Sequence, residues 1–312
     1  MTTKGRIHFE RVLCPIGLAA DSDESLRYGV ALAKAYGAKL FLMHCLDTNG
    51  ERAADRRHLT GKLRELLAKH VRQPASNGVE TEIVITEGEA QVAIAREAAQ
   101  RQIDLIVMRS RRRPYAAALL GSTAESVYRT APCPILITHP REREWAGTTT
   151  NEVALQRVLV AHDFSTDSEL ALSYGLSLAQ EYQAELHLLH VVPPRAKPET
   201  PEAAYLPFGI DSFFGEAAKR LQSALPDETH LWCNVKHAVR QGQPYREVLA
   251  YAEEQNIDLI CMGASGTGFG MRALFGSNAD RVLRQAPCPV LISRPLRPAF
   301  ATSTTTAERM VR

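Results

Sequence analysis

Two stretches of the chain repeat one another in order, and this internal repeat limits the architecture more than any single motif. Arg11-Val-Leu-Cys-Pro15 returns as Arg157-Val-Leu-Val-Ala161, and Ser25-Leu-Arg-Tyr-Gly-Val30 returns as Ala171-Leu-Ser-Tyr-Gly-Leu176. Residues 40–45 return as 186–191, with His44 matched by His190. Ile103-Asp-Leu-Ile106 returns as Ile257-Asp-Leu-Ile260, and Ala131-Pro-Cys-Pro134 as Ala286-Pro-Cys-Pro289. Five collinear matches are beyond chance. The order is kept throughout, with one longer insertion in the second copy near residues 193–215.

Within each copy, short apolar runs alternate with amphipathic stretches. In the second copy the strand candidates are residues 157–161, 185–192, 234–239, 258–262 and 290–293; helix patterns lie at 168–182, 214–224, 244–254 and 277–285. Strands buried on both faces read as continuous apolar runs, whereas helices read with a period of 3.6. Ser168 is expected to cap the first of these helices and Ser277 to open the last. Alternating elements of this length imply an α/β class: two tandem, doubly wound, Rossmann-like domains, each with a five-stranded parallel sheet and right-handed crossovers. The expected division is 1–140, 153–296 and a flexible tail at 297–312, with the polar, Thr-rich and unpatterned residues 139–152 as linker.

Composition removes several function classes. A length of 312 residues suits two domains, and 45% hydrophobic with 23% charged residues is the balance of a globular protein. A net charge of +2 gives no basic field for nucleic acid or an anionic membrane. The longest apolar runs, such as 186–192, are strand-length and far below the roughly 20 residues that span a bilayer. The N-terminus lacks the apolar segment of a secretory signal, and six cysteines in this length form no disulfide framework, so the expected compartment is the cytoplasm.

Ligands of open α/β sheets bind beyond the carboxyl ends of the strands, at the point where strand order reverses. In the second copy the first strand ends in Ala161-His-Asp-Phe-Ser165. The fourth ends in Met262-Gly263 and runs through a loop spelling G-x2-G-x9-G-S to Gly276-Ser277, where a helix follows directly. Gly263 and Gly266 permit backbone angles and close approaches that a Cβ would block. Gly276 and Ser277 sit at a helix start, where free amides and the helix dipole favour a phosphate or a simple cap. Asp163 supplies an acceptor for a base or sugar, or for a turn. His162 beside it invites acid–base chemistry, yet adjacent strand residues point to opposite faces.

These residues carry a resemblance. Asp163-Phe164-Ser165 after the first strand, the loop from Gly263 to Ser277, and Ala286-Pro-Cys-Pro-Val290 in the last strand make the chain resemble a tandem member of the universal stress protein family, over about residues 6–139 and 154–295. The resemblance implies strand order 3-2-1-4-5 in each domain, pairing between last strands, and an internal pseudo-dimer in which residues 135–138 meet 290–293. It also implies an ATP site: Asp163 and Val191 at adenine, Gly263 and Gly266 along ribose and phosphate, and Gly276 and Ser277 on the phosphates. The implied ligand is ATP, ADP or AMP, with Mg²⁺ as companion cation. Which nucleotide, and whether the chain forms a homodimer, stay open.

The first copy departs from that pattern. Gly17 stands where Asp163 stands, and residues 108–122 lack both leading glycines and run one residue shorter. Counted from the strand, Arg109 and Arg112 replace them; counted from Gly121-Ser122, Met108 and Arg111 do. Side chains there fill space the family leaves for ribose and phosphate, so no ATP is expected in the first copy. Arg109, Arg111, Arg112 and Arg113 read as a solvated face, with a second anion or partner site as the alternative. Cys14, His44, Cys45 and Cys133 invite a metal site, but no C-x2-C or H-x3-H pair exists among them and core positions fit them better.

Enzymatic readings find no support in the motifs. There is no P-loop lysine, no glycine turn after the first strand, and Gly263-Ala-Ser-Gly-Thr misses a G-x-S-x-G elbow by one position. Nor is there an S-G-G-x-D-S loop or a pair of carboxylates. Binding without fast turnover is expected, with slow hydrolysis or self-phosphorylation left open. Two functions follow: a nucleotide-gated stress regulator acting on a protein partner, or a scaffold or small-ligand or metal-binding stress protein that uses no nucleotide.

Overall fold

The computed structural model describes residues 7–17, 23–46, 53–71, 78–110, 122–138, 145–146, 153–194, 210–264 and 277–293. The first repeat contributes β1 (Arg11–Pro15), α1 (Asp23–Tyr36), β2 (Lys39–Leu46), α2 (Ala53–Val71), β3 (Thr81–Glu87), α3 (Ala90–Gln100), β4 (Leu105–Arg109), α4 (Ser122–Thr130) and β5 (Ile135–Thr138). The second contributes β6 (Arg157–Ala161), α5 (Thr166–Tyr182), β7 (Glu185–Val192), α6 (Ile210–Ser223), a 3-10 turn (Asp227–Leu231), β8 (Val235–Gln241), α7 (Pro244–Glu254), β9 (Leu259–Gly263), α8 (Ser277–Gln285) and β10 (Val290–Ser293).

All ten strands join one sheet in the order β3-β2-β1-β4-β5-β10-β9-β6-β7-β8. Each repeat is parallel within itself and follows the 3-2-1-4-5 order. The seam is antiparallel, with Val290 opposite Ile137, Leu291 opposite Leu136 and Ile292 opposite Ile135. The two sets of strands therefore run in opposite directions, and their carboxyl ends lie at opposite ends of the molecule. Among the described residues, no helix is long and apolar enough to cross a bilayer.

The repeated motifs have packing reasons. In each Ile-Asp-Leu-Ile, the Asp clamps the start of the neighbouring strand: Asp104 Oδ2 accepts from the amides of Glu10 (2.9 Å) and Arg11 (2.8 Å), and Asp258 Oδ2 accepts from those of Gln156 (3.0 Å) and Arg157 (2.9 Å). In each Tyr-Gly, the glycine lets a helix lie on the sheet; a Cβ on Gly29 would run into Cys14 Sγ and one on Gly175 into Val160 Cγ2. In each Ala-Pro-Cys-Pro, the cysteine is fully buried and the second proline offers its carbonyl to the adjoining strand, Pro134 to the Ile106 amide and Pro289 to that of Ile260. Cys14 lies under Gly29 and Cys133 is fully buried, whereas Cys45 is half-buried on β2 and His44 bonds the Ile16 carbonyl through Nδ1. Burial raises the Cys14 thiol far above its ordinary range and pushes Cys45 up to about 11.

Strand alternation sorts the core into two layers, each drawing on both repeats. Val12, Leu40, Val158 and Leu186 face α1 and α5, whereas Leu13, Met43, Leu159 and Ile260 face the layer of Ile94, Val127, Val248 and Val282. Cross-repeat contacts reinforce the seam. Arg284 on α8 reaches Glu125 on α4 at 3.2 Å, Ser177 on α5 donates to the Ile7 carbonyl at 3.0 Å, and the Phe9 ring lies against Tyr36 and Tyr174.

Two expectations need correction. Residues 139–152 are not simply a polar linker, because Trp145 is 2% exposed, packs edge-on against Tyr28 at 4.7 Å and belongs to the shared core. Ala146 beside it bridges to Val153, and the Ala154 amide donates to the Trp145 carbonyl at 2.7 Å. The cap of α5 is Ser165 rather than Ser168, and Ser168 lies within the first turn, where its own amide donates to Ser165 Oγ.

Candidate nucleotide site

The tip of β6 is a tight turn made by its own polar side chains. Asp163 Oδ1 accepts from the Ser165 amide (3.1 Å) and hydroxyl (2.5 Å), the Asx-type arrangement that lets a short acid replace backbone bonds. Ser165 Oγ then caps α5, and Ser168 Oγ accepts from the Asp163 amide at 3.3 Å while donating to the Ser165 carbonyl at 2.9 Å. Phe164 between them has φ +63, a left-handed conformation costing a non-glycine residue about 1–2 kcal/mol. A carboxylate has about four lone-pair sites. The turn engages one carboxylate oxygen, Oδ1, in both of these bonds.

Alternation places the predicted residues on particular faces. Ala161, Val191, Met262 and Ala264 belong to one core layer, and Asp163 continues that side of β6 beyond the strand end. Val191 is almost buried on β7, and Ser277 is the exposed first residue of α8, where the opening amides have no intrahelical acceptor. The register of Ala161 with Met262 sets the β6 turn beside Gly263, so Asp163, just past β6, Val191, the penultimate residue of β7, and Gly263, the last of β9, belong to the tips of three adjacent strands. Gly266 and Gly276 lie outside the described residues.

Gly263 has a reason of its own to be glycine. A Cβ there would stand 2.7 Å from Asp167 Cβ and 2.8 Å from the Asp167 carbonyl carbon, on the α5 side of the sheet. Ser293 Oγ donates to the Asp167 carbonyl at 3.2 Å, so the first turn of α5 is seated directly on the ends of β9 and β10.

Behind the turn, on the α5 and α6 side, lies a cluster that joins His162 to Phe164, His190, Glu169 and Arg220. His162 is 2% exposed. Its Nδ1 accepts from the Phe164 amide at 3.2 Å, and its Nε2 stands 3.4 Å from Glu169 Oε1 without hydrogen-bond alignment. The Phe164 ring meets the His190 ring, tilted with centroids 4.5 Å apart, and the Arg220 guanidinium lies over it, 3.9 Å from its centroid. His190 Nδ1 donates to the His162 carbonyl at 2.8 Å, as His44 Nδ1 does to the Ile16 carbonyl at 2.9 Å in the first repeat. Burial holds His162 below its ordinary pKa against the pull of Glu169 and Asp163. The signal in the sequence was a large apolar residue inside a polar strand-end turn.

The family model described as universal stress protein family matches residues 8–139 and again 154–294. The chain belongs to the universal stress protein family. A universal stress protein of Mycolicibacterium smegmatis is 25% identical over 313 residues, covering 91% of this chain and 97% of that protein. The universal stress protein YxiE of Bacillus subtilis is 32% identical over 147 residues, covering 44% of this chain and 98% of its own length. In fold the chain is similar to a solved universal stress protein from Archaeoglobus fulgidus, with a TM-score of 0.66 and 21% identity, covering 91% of this chain and 98% of that one.

The two universal stress protein repeats are not equivalent at their tips. The Ile16 amide bonds the Met43 carbonyl as the His162 amide bonds that of Leu189, so Gly17 occupies the place of Asp163. Arg109 pairs with Thr138 as Gly263 pairs with Ser293, and the next amides, of Ser110 and Ala264, bond the Thr138 and Ser293 carbonyls. Strand register therefore selects Arg109, rather than Met108, as the counterpart of Gly263. Arg111, Arg112 and Arg113 lie outside the described residues.

Proposed function

We propose that this protein is a nucleotide-binding regulator in which the second repeat takes an adenine nucleotide and the first does not. The carrying observation is the register equivalence just described: an acid and a glycine at the second tip, a glycine and an arginine at the first. In this reading Asp163 accepts from the adenine amino group, Val191 is an apolar wall for the base, and main chain near Gly263 and Gly266 passes along the ribose. Gly276 and Ser277 offer amides and a hydroxyl to phosphate at the start of α8, where the helix dipole favours an anion. Mg²⁺, when present, supplies charge neutralisation on the phosphates. The described side chains at the tip fit such a ligand, since they combine one acceptor, one apolar wall and the donor-rich start of a helix.

No residue at the tip is assigned a bond-breaking role, and the proposed output is a change in the surface shown to a protein partner. The proposed compartment is the cytoplasm. Calorimetry with ATP, ADP, AMP and cyclic AMP tests the reading. Wild type should bind at least one of them in the micromolar range, Asp163→Asn should lose at least tenfold while keeping the turn through its amide oxygen, and Gly17→Ala should bind as wild type. Absence of affinity at millimolar nucleotide, or equal losses at the two tips, would remove it and leave a scaffold.

A further inference from the structure

His162 is bonded in a way that only its neutral form can sustain. A backbone amide can only donate, so the 3.2 Å contact from the Phe164 amide requires a lone pair on Nδ1. The one ring proton is then on Nε2, on the side of Glu169. A second proton would go to Nδ1 and set two donors against each other at that contact. Phe164 is the left-handed residue that separates Asp163 from Ser165, so its amide is the pivot of the turn that presents Asp163.

We propose that His162 is a proton-sensitive latch on the nucleotide site of the second repeat. With a neutral ring, the Phe164 amide is held, the turn is closed and Asp163 is presented on the ligand face. A proton taken from water onto Nδ1 breaks that bond, releases the turn and lowers nucleotide affinity. The latch rests on the nucleotide reading of the tip given above.

The titratable and charged groups around the ring set its threshold. Glu169 on α5 and Asp163 in the turn favour the charged ring, His190 on β7 opposes it, and Arg220 on α6 acts across the Phe164 ring. Burial outweighs the two acids and keeps the ring neutral to lower pH than an exposed histidine. The first repeat has Ile16 at the equivalent position and so has no latch. The Arg220 guanidinium over the Phe164 ring also ties the turn to α6, giving its release a path to the outer surface of the repeat.

Two substitutions separate the two ring nitrogens. In His162→Asn the amide oxygen can take the place of Nδ1 and cannot titrate; in His162→Gln the amide reaches the place of Nε2 instead. The ATP affinity of wild type, H162N and H162Q is measured from pH 8 to pH 5, and the ATP phosphates titrate alike in all three. Relative to H162N, wild type should lose about tenfold in affinity for each pH unit below the ring's titration, while H162Q should bind weakly throughout. In parallel, the Phe164 amide resonance of the ligand-free protein is followed with pH and should move with the His162 ring. A wild-type pH slope retained in H162N, or a Phe164 amide that stays still while His162 titrates, overturns the latch. Lack of ATP binding by wild type at pH 8 overturns the nucleotide reading and with it the effect on affinity, whereas the amide titration still decides whether the latch itself exists.

Discussion

Gly263 and Asp167 cannot be varied independently, because the α5 backbone fills the space a side chain at 263 would need. Gly263→Ala is therefore expected to destabilise the fold by about 1–3 kcal/mol, the usual cost of overpacking, quite apart from any effect on a ligand; an unchanged urea midpoint would show that α5 can shift aside. A second residue-scale prediction concerns His187. Its Nε2 donates to Glu185 at 2.6 Å and its Nδ1 accepts from the Tyr251 hydroxyl at 2.9 Å, and burial lowers its pKa despite the pull of Glu185. The folded state keeps the ring neutral while the unfolded chain binds a proton below about pH 6.5. The unfolded state then binds more protons, so stability rises with pH through that window and is lost as pH falls below about 6.5. Urea titrations at pH 7.5 and 5.5 should show the loss, and His187→Phe, the residue found at the matching Phe41, should remove part of it. Neither the tautomer at His162 nor this relay was readable in the sequence, because a histidine's role depends on which groups the fold turns towards each ring nitrogen.

At the scale of elements, the paired Asp clamps make a direct prediction. Asp258→Ala strips two charged hydrogen bonds from the start of β6 and should cost about 2 kcal/mol by chemical denaturation; a cost near zero would mean that water replaces them. The same elements show what periodicity can and cannot deliver. The expected bounds of β6, β7, α7, α8 and β10 agree with the structure, since continuous apolar runs and a 3.6 period report burial directly. Two helix starts differ: α5 opens at Thr166 rather than Ser168 because the Asp163–Ser165 turn caps it, and α6 opens at Ile210, four residues ahead of its expected start. Trp145 was hidden by its polar neighbours, and only tertiary packing explains it. Of the expected ligand residues, Asp163 follows the end of β6, Val191 is the penultimate residue of β7, Gly263 ends β9 and Ser277 opens α8; what each would hold depends on contacts that motif spacing does not encode.

At the scale of the whole molecule, both core layers run across the seam, and the linker's Trp145 is part of one of them. Heating the intact chain should therefore give one calorimetric transition, with equal calorimetric and van't Hoff enthalpies; two separated transitions would show that the repeats fold independently. The antiparallel seam has a longer consequence. In a dimer of identical chains every change at a tip is made twice, so a damaged tip is damaged in both partners. Joining twins head to tail in one chain ends that bondage: a change strikes one end only and leaves the other as it was. The shared middle, with an Ala-Pro-Cys-Pro signature on either side, is then common to both twins, while the ends differ: Gly17 and Arg109 stand at one, Asp163 and Gly263 at the other.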